Sequence, residues 1–111
     1  MKANTVALKK ERGSNKKKGL CKLAIDEELT IFSIEVLKKG LVEEIDTYDQ
    51  FELNLSEVEE IDTAGIQLLL AFNSELIRRK KMLKLTTMNS VVRKLMESYA
   101  VTQRFKTGES A

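Results

Sequence analysis

The chain has 111 residues, 42% of them apolar and 5% aromatic, enough for one modest core built from Leu, Ile, Val and Met. It contains no His and one Cys, which removes the commonest general base, the imidazole metal ligands and any intramolecular disulfide. The net charge of +2 joins two unlike parts: residues 1–18 hold seven basic side chains against Glu11, and the remainder holds twelve basic against sixteen acidic.

Residues 1–19 read as a basic, flexible N-terminal arm, because Gly13, Ser14, Asn15 and the Lys16–Lys18 run interrupt any apolar period. The arm is either an electrostatic tether for nucleic acid or anionic membrane, or a solvated tail. No aromatic is interleaved to stack on bases, so nucleic acid and membrane are not the expected partners. Removing residues 1–18 should then leave thermal stability nearly unchanged.

From Leu20 the alternation of Leu20, Lys22 and Ala24 with Cys21, Leu23 and Ile25 predicts a strand. Cys21 within it reads as a small buried hydrophobe rather than a nucleophile. Asp26-Glu27-Glu28 reads as a polar turn and Leu29–Phe32 as a second extended run. Ser33 is the expected N-cap of a helix over roughly 34–46, carried by Val36, Leu37, Leu41, Val42 and Ile45 and weakened by Gly40. Phe51, Leu53 and Leu55 alternate as one face of a strand, and Ser56–Glu60 reads as an acidic connection. A strong helix follows Thr63 and runs to Arg79 or Lys80, with Arg78–Lys81 suited to its negative end. Met82–Thr87 is another strand, and Asn89 or Ser90 caps a last helix with Val91, Val92, Leu95, Met96 and Tyr99 on one side. The order ββαβαβα implies a single α/β domain with a mixed, mostly parallel β-sheet of about four to five strands and α-helices packed against it.

Catalysis finds little purchase here, since no His activates a hydroxyl and no Gly-rich phosphate loop is present. No cofactor and no small-molecule substrate are expected. The longest apolar run, Leu68–Phe72, is too short to span a bilayer, and the basic N-terminus lacks the apolar stretch of a secretory signal, so the expected location is the cytoplasm.

One constellation stands out: Glu60-Ile61-Asp62-Thr63-Ala64-Gly65-Ile66. Asp62 precedes the helix, where a carboxylate accepts free backbone N–H groups and opposes the positive dipole end. Thr63 at the first helical position would offer a phosphoryl group those same amides, while its added charge would lie beside Asp62, Glu59 and Glu60. Gly65 permits a close approach by other atoms. The segment is equally an ordinary Asp/Thr helix start over a small-residue packing site.

The stretch from Phe51 through Asp62-Thr63-Ala64-Gly65-Ile66 to Leu70 resembles the signature of the STAS domain, shared by sulfate transporters and anti-sigma factor antagonists. Leu29-Thr30-Ile31, Met82–Leu85 and Ser90–Leu95 extend the likeness over roughly 20–101, placing a STAS domain at 20–111. The resemblance implies a stand-alone, non-enzymatic module. It would bind an anti-sigma factor or histidine-kinase-like serine/threonine kinase, with a phosphatase as a further partner. Thr63 falls at the family's phosphorylation position, with Asp62 its acidic partner and Gly65 the small residue beneath. The partner surface would comprise Asp62, Thr63, Ala64, Gly65 and Gln67, with Asn73 and Ser74 as further polar positions. Unphosphorylated antagonists bind the anti-sigma factor and phosphorylated ones release it. Thr at this position also occurs in STAS scaffolds of lipid-transport ABC or chemotaxis complexes, which makes a constitutive accessory subunit the alternative. The expected state is a monomer or weak dimer.

Overall fold

Alternation along Phe51, Leu53 and Leu55 places all three on one face of the central strand, where each is buried to 1% exposure or less. The computed structural model describes residues 8–109. Its elements are β1 (Leu8–Lys10), β2 (Leu20–Leu29), α1 (Ile34–Ile45), β3 (Gln50–Ile61), α2 (Thr63–Arg78), β4 (Met82–Met88), α3 (Ser90–Ser98), a 3₁₀ turn (Thr102–Arg104) and β5 (Lys106–Thr107). The five strands form one sheet in the order β1-β2-β3-β4-β5, with β1 antiparallel and all other pairs parallel. This is the expected mixed, mostly parallel α/β architecture.

In register, Phe51 pairs with Cys21 on one side and Leu83 on the other, and Leu53 with Leu23 and Leu85, so one sheet face is a continuous apolar surface. Leu37 and Leu41 of α1, Ile66, Leu69, Phe72 and Leu76 of α2, and Val92 and Met96 of α3 join it in a single core. Phe51 makes edge-on ring contacts with Tyr48 and Phe72, linking the α1–β3 loop, the central strand and α2. The alternate positions put Lys22, Glu52 and Lys84 side by side on the other face.

Four expectations are corrected. The flexible arm over 1–19 does not hold for residues 8–19; residues 1–7 lie outside the described residues. Leu8 pairs with Ile25, Lys9 with Ala24 and Lys10 with Leu23, and the Glu11 amide donates to the Lys22 carbonyl at 2.7 Å. Three residues are too few to show a period, but Leu8 packs against the core and over Gly40, where an added Cβ would lie 2.6 Å from the Leu8 Cδ2. Asp26–Glu28 is not a turn: β2 runs through it, with register shifts against β3 and Glu27 at φ 63° absorbing the irregularity. Ser56–Glu60 is likewise strand, because Glu57, Val58, Glu60 and Ile61 pair with Asp26–Leu29. Ser33 stands at the N-cap position of α1, yet its hydroxyl turns away from the helix. No helix among the described residues is long and apolar enough to cross a membrane.

Candidate functional site

The strand-to-helix turn at the end of β3 is held by one carboxylate. Asp62 is extended (φ −133°, ψ −174°), and its Oδ1 accepts the Gly65 amide at 3.1 Å, the N-cap geometry expected of Asp before a helix. Its Oδ2 accepts the Ile31 amide at 3.1 Å, and its own amide donates to the Leu29 carbonyl at 3.3 Å. Asp62 therefore ties the first turn of α2 to the loop between β2 and α1. Gly65 is buried directly on the end of β2, just before that loop: a Cβ there would fall 2.0 Å from the Leu29 carbonyl oxygen.

Thr63 is exposed at the first position of α2, and its hydroxyl pairs with that of Tyr99, the residue closing α3. Gln67 is exposed one turn further along the same helical face, while Asp62 and Ala64 are half-buried. Gly65 lies underneath and seats the turn without reaching the surface. Asn73 is occupied internally, donating to the Arg104 carbonyl at 3.1 Å, whereas Ser74 is exposed. Because Asp62 already holds the Gly65 amide, the ring of free amides beside Thr63 is smaller than the sequence suggested.

The neighbouring loop adds what the sequence reading missed. Thr30 Oγ1 donates to Glu28 Oε1 at 2.8 Å and accepts the Phe32 amide at 3.2 Å. Ser33 Oγ accepts the Thr30 amide at 3.1 Å and donates to the Glu28 carbonyl at 3.0 Å. This side-chain-held turn leaves Ile31 and Phe32 55% and 89% exposed beside Asp62. The available signal was two large apolar residues bracketed by Thr and Ser, which the strand reading absorbed. Carboxylates of Glu27, Glu57, Glu59 and Glu60 stand exposed at the same end.

Cys21 is fully buried, and burial pushes its thiol up to about 11, which leaves it a poor nucleophile. Among the described residues no group of three or more His, Cys, Asp or Glu is placed to hold a metal ion. A groove of about 350 Å³ between α1 and α2, floored by Leu41, Leu68 and Phe72, excludes Asp62 and Thr63 from its lining.

Residues 14–106 match the family model described as "Mlab, STAS domain". Comparison with curated proteins gives no match. Among solved structures, the unphosphorylated anti-sigma factor antagonist SpoIIAA matches with a TM-score of 0.75 at 16% identity, over 94% of this chain and 90% of that one. An anti-sigma factor antagonist from Mycobacterium paratuberculosis gives 0.77 at 13% identity, covering 93% and 86%. A sulfate transporter family protein from Wolinella succinogenes gives 0.66 at 19% identity, covering 82% and 78%. At these identities the structural likeness speaks for the fold.

Proposed function

Because this chain belongs to the STAS domain family, we propose that it is a non-catalytic regulatory module that works by partner-switching at the Thr63 end of α2. Its partner is an anti-sigma factor or histidine-kinase-like serine/threonine kinase, with a phosphatase resetting the state. The observation that carries the reading is the exposed Thr63 hydroxyl on a rigid, Asp62-capped turn, flanked by the exposed apolar Ile31 and Phe32. The apolar pair supplies contact area of the kind that dominates interface energetics. A phosphoryl group on Thr63 would add about −1.5 to −2 charge beside Asp62, Glu59 and Glu60, which repels an acidic partner surface and interrupts an apolar one.

The second reading, a constitutive accessory subunit of a transport or chemotaxis complex, draws on the Tyr99 contact: a hydroxyl already paired within the chain is less available to a kinase. Kinases of the histidine-kinase-like class from the same genome, incubated with ATP and the chain, separate the two. Partner-switching requires phosphate mapped to Thr63 by mass spectrometry and, for Thr63→Glu, affinity lower by roughly tenfold or more with unchanged circular dichroism. Absence of phosphate on Thr63, with equal affinity for wild type and Thr63→Glu, selects the constitutive subunit.

A further inference from the structure

The two ends of the sheet carry opposite charge. Carboxylates of Glu27, Glu28, Glu57, Glu59, Glu60 and Asp62 gather where the parallel strands end, around Thr63. At the other end, Gly19 accepts the Asp49 and Gln50 amides at 2.8 Å each, and the Met82 amide donates to the Asp49 carbonyl at 3.1 Å. This row brings the β1–β2 hairpin and the last turn of α2 to one edge of the molecule. The hairpin contributes Lys16, Lys17 and Lys18, all exposed, and the helix end contributes Lys80, also exposed. Arg78, Arg79 and Lys81 stand behind them, the arginines paired with Glu75 and Asp46, and Lys81 donating to the Ile45 and Tyr48 carbonyls. Asp49 and, in the last turns of α1, Glu43 are exposed carboxylates at this end.

The lysine run is not a loose tail. Asn15 Oδ1 accepts the Lys17 amide at 2.9 Å and the Lys18 amide at 3.2 Å, and Asn15 bridges to Leu20. This fixes the backbone that carries the three lysines in a tight turn and lowers the ordering entropy of binding. The same end exposes two apolar side chains, Ile77 at 62% and Met82 at 37%.

We propose that this basic end docks on an anionic phospholipid bilayer, leaving the acidic Thr63 end facing away from it. Lipid suits the surface better than nucleic acid, because Ile77 and Met82 gain from the acyl boundary, whereas the phosphate backbone of a duplex rewards neither. Tyr48, Phe51 and Phe72 are buried in the core, so this end offers no ring to stack on bases. The inference does not depend on phosphorylation of Thr63.

Flotation of the full chain with phosphatidylcholine vesicles, with and without one third phosphatidylglycerol, is the test. Binding is expected to the anionic vesicles only, and to fall steeply with added salt. Replacing Lys16, Lys17 and Lys18 together by Ser lowers the partition coefficient roughly a hundredfold, since each cation near the surface is worth about a fivefold factor. Ile77→Ser weakens vesicle binding but leaves retention on a short DNA duplex unchanged. A Glu59→Gln, Glu60→Gln variant binds at least as well as wild type, and thermal melts check that each variant is folded. Failure to bind anionic vesicles at low salt, binding indifferent to the lysines, or stronger capture by duplex DNA with no effect of Ile77 overturns the proposal.

Discussion

At Gly65 the helix meets the end of β2 more closely than any side chain permits. An alanine Cβ would lie 2.0 Å from the Leu29 carbonyl oxygen and 2.8 Å from its Cγ, so relief requires backbone movement of the whole turn. Gly65→Ala is therefore expected to cost about 3 kcal/mol, at the upper end of overpacking, despite the better helix propensity of Ala. Urea denaturation with an unchanged slope measures it; a loss below about 0.5 kcal/mol would mean the turn yields without strain. The Asp62-Thr63-Ala64-Gly65 segment was legible in the sequence because cap, first turn and close approach are all local requirements. Tyr99, which meets the Thr63 hydroxyl from 36 positions away, was not, since only the packing of α3 brings it there. Ile31 and Phe32 were hidden for a related reason: their exposure depends on how the Thr30 and Ser33 hydroxyls fold the loop.

Among the elements, α2 announced itself through a long, regular apolar period, the first half of β3 through the alternation of Phe51, Leu53 and Leu55, and α3 through its Asn89 cap, whose Oδ1 accepts the Val92 amide at 3.0 Å. The acidic halves of β2 and β3 did not. Asp26–Glu28 and Glu57–Glu60 are strand because they pair with each other, and pairing is a tertiary fact that polarity conceals. At the far end of α2, Glu75 accepts from both Arg78 and Arg79, and these hydrogen bonds hold its carboxyl at about 2, below the ordinary 4.5. A depressed folded-state pKa contributes stability that is complete above the ordinary value and disappears as pH falls towards 2. The carboxylate is partly exposed and screened by water, so the contribution is small. Glu75→Gln should lower the melting temperature slightly at neutral pH, with the difference from wild type shrinking through the acid range and gone by about pH 2. Melts of both proteins across that range check it, and a constant gap would show that the effect is not ionic.

At the scale of the molecule, the sheet is closed on one side by a strand that the composition hid. β1 covers the outer edge of β2, Lys10 reaches the Glu44 carboxylate at 3.0 Å and lies 5.3 Å from the Tyr48 ring centre, and Leu8 fills the space left by Gly40 on α1. Gly40, which looked like a defect in α1, is the place where strand and helix meet. Removal of residues 1–10 uncovers both the β2 edge and the floor beneath Leu8. The expected loss is about 2 kcal/mol, or roughly 8 °C in melting temperature, together with concentration-dependent association through the open edge. Calorimetry and light scattering read the two effects, and an unchanged melting temperature would mean that β1 contributes nothing. A mutant cycle separates packing from edge protection. In the Leu8→Ala background Gly40→Ala should stabilise by about 1 kcal/mol, as an ordinary helix substitution does, while in the native background the clash at 2.6 Å opposes that gain. Equal effects in the two backgrounds would place Leu8 away from the helix and leave only edge protection to explain the role of β1.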